Sequence, residues 1–97
     1  MTVPSYLNEP MDPADVDDHF WFVGDWMRSG ETIAEHSVTS ADAAFQITGV
    51  TFDVPSRELR WRYAGGVAGQ DYLVTLFVRT NTGRSAERTV RYPVRNL

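Results

Sequence analysis

An all-β fold, an antiparallel β-sandwich of six to seven strands with an extended N-terminal arm, is what this 97-residue sequence predicts. Three observations carry the prediction. Apolar residues recur with period two in short runs, the spacing that lays one face of a strand against a core. Turn chemistry interrupts those runs roughly every 8–12 residues. No stretch of about 11 residues fits a helical period better. At 11.0 kDa the chain holds a single core, and we divide it into an arm, residues 1–14, and a sandwich, residues 15–97.

The arm carries Pro4, Pro10 and Pro13, which block regular helix and central-strand hydrogen bonding. Val3, Tyr6, Leu7 and Met11 give it apolar anchors, which suit an extended segment that docks on a neighbour. Residues 19–23 are aromatic and β-prone, and Gly24 with Asp25 ends them. Residues 26–30 read as one tight turn, and residues 33–39 alternate weakly. Residues 40–44 are a loop or a single helical turn. Phe45 and Ile47 alternate with polar neighbours until Gly49 breaks the pattern, which resumes over residues 50–54 as a new segment. Pro55 and Ser56 turn the chain. Leu59, Trp61 and Tyr63 then point one way while Arg60 and Arg62 point the other, the mark of a half-buried antiparallel strand. A glycine-rich connection over residues 64–70 leads to residues 72–78, apolar on both faces as a central strand requires. Asn81, Thr82 and Gly83 signal a hairpin. In the last strand Val90, Tyr92 and Val94 alternate with Arg91 and Arg95, and Pro93 places it at an edge.

Tyr72 opens the central strand directly after the glycine-rich loop. A tyrosine there commonly turns its hydroxyl back to the loop backbone, the corner of immunoglobulin-like sandwiches. Its replacement by phenylalanine is expected to cost about 1 kcal/mol or more through the lost hydrogen bond.

The net charge of −4 conceals an asymmetry. Residues 1–53 hold ten acids against one arginine, and residues 54–97 hold eight arginines against three acids; lysine is absent. Either an acidic face stands opposite an arginine face (Arg60, Arg62, Arg91, Arg95) suited to head-to-tail protein contact, or strand interleaving cancels the asymmetry in space.

Chemistry finds little purchase. The absence of cysteine excludes disulfides, thiolate metal sites and cysteine nucleophiles. His19 and His36 would need Asp17, Asp18 or Asp25 to complete a zinc site, and a pair of strand histidines accounts for them more simply. The acidic stretch 9–18 lacks the glycine of a calcium loop. No Gly-x-Ser-x-Gly elbow is present, and Gly65, Gly66 and Gly69 lack the lysine of a phosphate loop. Arginines interleaved with Trp61 and Tyr63 could grip a single strand, but a negative net charge without lysine opposes nucleic acid. The start MTVPSYLNEP has neither the basic residues nor the apolar run of a secretory signal. No run is long enough to span a bilayer. The expectation is a non-enzymatic protein with no metal, cofactor, nucleic-acid or membrane partner.

Three blocks carry a resemblance: Asp25-Trp26 with residues 29–33, residues 65–75, and residues 82–90 closing on Val94-Arg95. In this order and spacing, over roughly residues 15–97, the chain resembles the small immunoglobulin-like virion proteins of tailed bacteriophages, the fibre–tail adaptor type. The resemblance implies a virion structural protein, made in the host cytoplasm. Present in several copies, it would seat a fibre or a neighbouring tail or connector protein on the particle. Two other readings share the fold. A capsid decoration protein would bind the head lattice. A carbohydrate-binding module would offer Trp21 or Trp26 as a sugar platform.

Overall fold

The computed structural model describes residues 10–97. Among these residues six strands form: β1 (Val16–Phe22), β2 (Ile33–Ser40), β3 (Phe45–Asp53), β4 (Glu58–Gly65), β5 (Asp71–Thr80) and β6 (Ser85–Pro93). They pair antiparallel in two three-stranded sheets, ordered β1-β4-β3 and β2-β5-β6. The two inner faces meet as a sandwich, the arrangement that period-two patterning calls for.

Alternation decides which side chains reach the core. On β4, Leu59, Trp61 and Tyr63 are buried while Arg60 and Arg62 face solvent. On β5, Tyr72, Val74, Leu76, Val78 and Thr80 are buried. The outer face of β5 carries Leu73 and Phe77 too, but among the described residues no layer covers it: Leu73 is half-exposed and Phe77 partly so. β5 is central in its sheet and β6 is an edge. At the heart of the sandwich Tyr92 packs 4.6 Å from Tyr63 and 4.9 Å from Phe45, ring centre to ring centre. Each such fully buried large side chain contributes about 1.5–3 kcal/mol of transfer free energy.

Gly49 does not end a strand. β3 runs unbroken from Phe45 to Asp53, and its register against β4 shifts between Thr48 and Thr51. Gly49, at φ +60°, supplies the positive dihedral that this bulge needs. Period-two counting sees a bulge as a break because the inserted residue reverses the phase of every side chain after it. The glycine-rich connection carries the chain from one sheet to the other. There Gly66 sits at φ +93°, where a Cβ would lie 2.9 Å from a Val94 methyl and 3.0 Å from the Tyr72 ring.

The arm does not all stand apart from the sandwich. Met11 is 4% exposed and belongs to the core. It forms a parallel bridge with Val94, its N–H donating to Pro93 O and its carbonyl accepting from Arg95 N–H. An unbranched thioether fills an irregular gap readily, and Met11, assigned to the arm, belongs to the packed sandwich. Val3, Tyr6 and Leu7 lie outside the described residues.

Candidate interaction surfaces

The four arginines assigned to one face lie on two. Arg60 and Arg62 project from the outer side of β4, whereas Arg91 on β6 and Arg95 just beyond it belong to the other sheet. Each is answered by carboxylates. Arg60 bonds Glu58 and lies 3.6 Å from Asp53; Arg62 bonds Asp18; Arg95 bonds Asp71, which Arg91 approaches at 3.8 Å. The acids of the first half and the arginines of the second therefore interleave. Asp18–Arg62, Glu35–Arg79 and Glu31–Arg84 all join residues more than forty positions apart. Most of these pairs are solvent-exposed and worth little individually.

One pair is different. Glu31, in the β1–β2 connection, is almost wholly buried, its side chain 3% exposed. It accepts from Arg84 Nε and Nη2, from the hydroxyls of Thr80 and Thr82 and from the Arg28 N–H. Arg84 also donates to the Trp26 carbonyl and lies 4.5 Å over the Trp26 ring. The Arg84 guanidinium, ahead of the other donors, holds the Glu31 carboxyl far below the usual range. Glu31 thus clasps the β1–β2 connection to the β5–β6 hairpin. Single-chain spacing hides this cluster because its members lie about fifty residues apart. The structure also disposes of a sugar platform at Trp21, which is fully buried; Trp26 is partly buried under Arg84.

At the opposite end, Tyr72 Oη accepts the Val67 N–H at 2.8 Å and pins the glycine-rich loop. A buried polar chain lies between the sheets: Trp61 Nε1–H donates to Tyr92 Oη at 3.0 Å, which in turn lies 2.8 Å from His19 Nδ1. Burial lowers the His19 pKa from 6.5 against the opposing pull of Asp17. The neutral ring can either donate to the Tyr92 hydroxyl from Nδ1–H or accept from it at Nδ1, according to its tautomer. His36 stands exposed on β2, 6.3 Å from the Phe52 ring. Among the described residues, no three His, Asp or Glu side chains gather closely enough to hold a metal ion. In the same span no helix is long and apolar enough to cross a membrane.

The outer side of β1 was not singled out by residue type, though alternation within residues 19–23 contains the signal. Trp21 and Val23 point inward and are buried, which turns Phe20 (53% exposed) and Val16 (60% exposed) to solvent. Beside Phe20 a groove of about 360 Å³ runs over β4, lined by Asp18, Glu58, Arg60 and the Gly49 bulge. Clusters of exposed apolar side chains rimmed by charge are the usual chemistry of protein contact.

The sequence profile of a family described as "Podophage GP4 fiber-tail adaptor protein gp77" matches residues 11–93. The match begins at Met11, whose side chain is buried in the core. No curated protein matches the chain.

Proposed function

The chain belongs to the podophage fibre–tail adaptor family, whose members are virion structural proteins, and from that premise we propose that it seats a tail fibre, or a neighbouring tail or connector protein, on the particle. It does so through protein–protein contacts and in several copies, without catalysis. The observation that carries the reading is the family match across nearly the whole described sandwich. The physical picture supports it. A domain of this size has much surface for little core and is readily stabilised by neighbours. Many of its charged groups meet in exposed ion pairs on the outer faces rather than gathering around a reactive centre. Repetition around a tail makes weak contacts additive. The docking residues in this reading are the N-terminal anchors Val3, Tyr6 and Leu7 and the paired arginines of the two outer faces.

Imaging of intact particles tests it. Density for the sandwich at the junction of tail and fibre is the expected result. Density on the head lattice would transfer the protein to capsid decoration, and its absence from purified particles would end the structural reading.

A further inference from the structure

At one end of the sandwich the β1–β2 connection and the β3–β4 turn border a cavity of about 310 Å³, whose apolar lining is Met27, Ile33, Phe52, Val54 and Pro55. Val54, in its turn, is 71% exposed. Glu31 borders the cavity too, but its carboxylate is spent in the clasp with Arg84, Thr80 and Thr82. That clasp ties one wall to the β5–β6 hairpin, so the cavity is formed before anything enters it.

Arg57 lines the same cavity, and two facts set it apart. Among the described residues no hydrogen bond or ion pair engages its guanidinium, whereas Arg60, three positions on, meets Glu58 and Asp53. Among those residues it is also the only one besides glycine with a positive φ, at +55°. The Arg57 N–H donates to the Val54 carbonyl, and the Arg57 carbonyl accepts from the Val23 N–H, which hold that conformation. Glycine would adopt it without strain. A strained turn residue whose charge is unspent, beside an apolar cavity, points to a ligand that is apolar and carries a carboxylate.

The chain itself carries such a segment. Residues 1–9 hold Val3, Tyr6 and Leu7, and their one charged side chain is Glu9. Glu9 precedes Met11 by two residues, and Met11 is bridged to Val94 at the other end of the sandwich. Two residues reach about 7 Å, while the ten residues of β5 hold the two ends about 30 Å apart. Glu9 is therefore too far from Arg57 of its own chain to pair with it, but not from Arg57 of a second copy.

We propose that this end cavity receives residues 6–9 of a second copy, with Tyr6 and Leu7 against Met27, Ile33, Phe52 and Val54, and Glu9 against Arg57. The apolar pair supplies the affinity, and the ion pair fixes which way the segment lies. A contact between unlike ends is head-to-tail, and repetition of it builds a ring or an open filament. The inference deepens the adaptor reading and rests on it only for placing the assembled copies on a particle.

Sedimentation equilibrium of the full-length chain measures the contact, with a peptide of residues 1–9 as competitor. The expected result is reversible association that excess peptide abolishes, with NMR shifts at Met27, Ile33 and Phe52. Glu9→Arg and Arg57→Glu each weaken association about fivefold, the upper range of an exposed ion pair, and the doubly reversed chain recovers it. Leu7→Ser weakens it about tenfold or more, as the loss of a buried leucine allows. Arg57→Gly suits the positive φ, so it keeps or raises the melting temperature while association falls, which separates the contact from the fold. A chain that stays monomeric at millimolar concentration overturns the proposal, and so does a double variant no tighter than the single ones. Peptide shifts confined to the outer faces overturn it too, as does an effect of Glu9→Arg on the Arg57 signals that is independent of concentration. Failure here leaves the adaptor reading standing, because imaging of particles decides that separately.

Discussion

Removing a single oxygen atom from the centre of the sandwich should cost more than its size suggests. Tyr92 is fully buried, and its hydroxyl is the acceptor of the Trp61 indole N–H at 3.0 Å. In Tyr92→Phe the ring packing against Tyr63 and Phe45 survives, but Trp61, 1% exposed, is left with a donor that neither protein nor water can answer. An orphaned buried donor costs about 1–3 kcal/mol. His19 is only partly buried and can turn Nδ1 to solvent, so its share is small. The sum is about 2 kcal/mol, and for a domain of this size that lowers Tm by about 8–16 °C. Circular dichroism melts of wild type and variant at pH 7.5 measure it, with Tyr72→Phe as the internal comparison. Tyr72 serves a loop N–H that solvent can reach, so its loss should cost nearer 1 kcal/mol. A Tyr92→Phe melt within about 2 °C of wild type, or a ranking in which Tyr72→Phe is the worse variant, would refute the premise that the Trp61–Tyr92 bond is desolvated.

Other expectations follow from the same structure. Because burial depresses the His19 pKa below 6.5, the folded state favours the neutral ring. Stability is therefore full above about pH 6.5 and declines as pH falls through the folded value; urea midpoints at pH 7.5 and 5.0 should differ, and His19→Gln should flatten that difference. The carboxylates Asp18, Glu31 and Asp53 have lowered values and lose their contribution only in stronger acid, below about pH 4. Gly66→Ala should destabilise more than Gly69→Ala, since both residues have positive φ but only Gly66 meets neighbouring atoms; about 1–2 kcal/mol of dihedral strain is common to both, and crowding adds about 1–3 kcal/mol at Gly66. Glu31→Gln should lower Tm by more than Glu35→Gln, because Arg84 holds Glu31 in a buried clasp while Arg79 and Glu35 meet in solvent. Deleting residues 1–14 removes Met11 from the core and should cost about 2–5 kcal/mol more than deleting residues 1–9, the range of a buried methionine truncation. Loss of particle incorporation with residues 1–9 removed would locate an anchor there, and full incorporation would exclude one.

What could be read without coordinates was whatever neighbours in sequence encode. Leu59, Trp61 and Tyr63 announced their inward face because consecutive strand residues point to opposite sides. Asn81, Thr82 and Gly83 announced the β5–β6 hairpin because turn geometry is local, and Pro93 announced an edge because it lacks an N–H. Period two says which side chains face a core but not which of two sheets a strand joins. That choice arises from pairings such as Asp18 with Arg62 or Glu31 with Arg84, made across forty or fifty residues by the packing of the whole chain. So tertiary structure alone divided the arginines between two faces and drew Met11 into the core. Alternation is a property of the single strand, whereas sheet membership is a property of the closed sandwich.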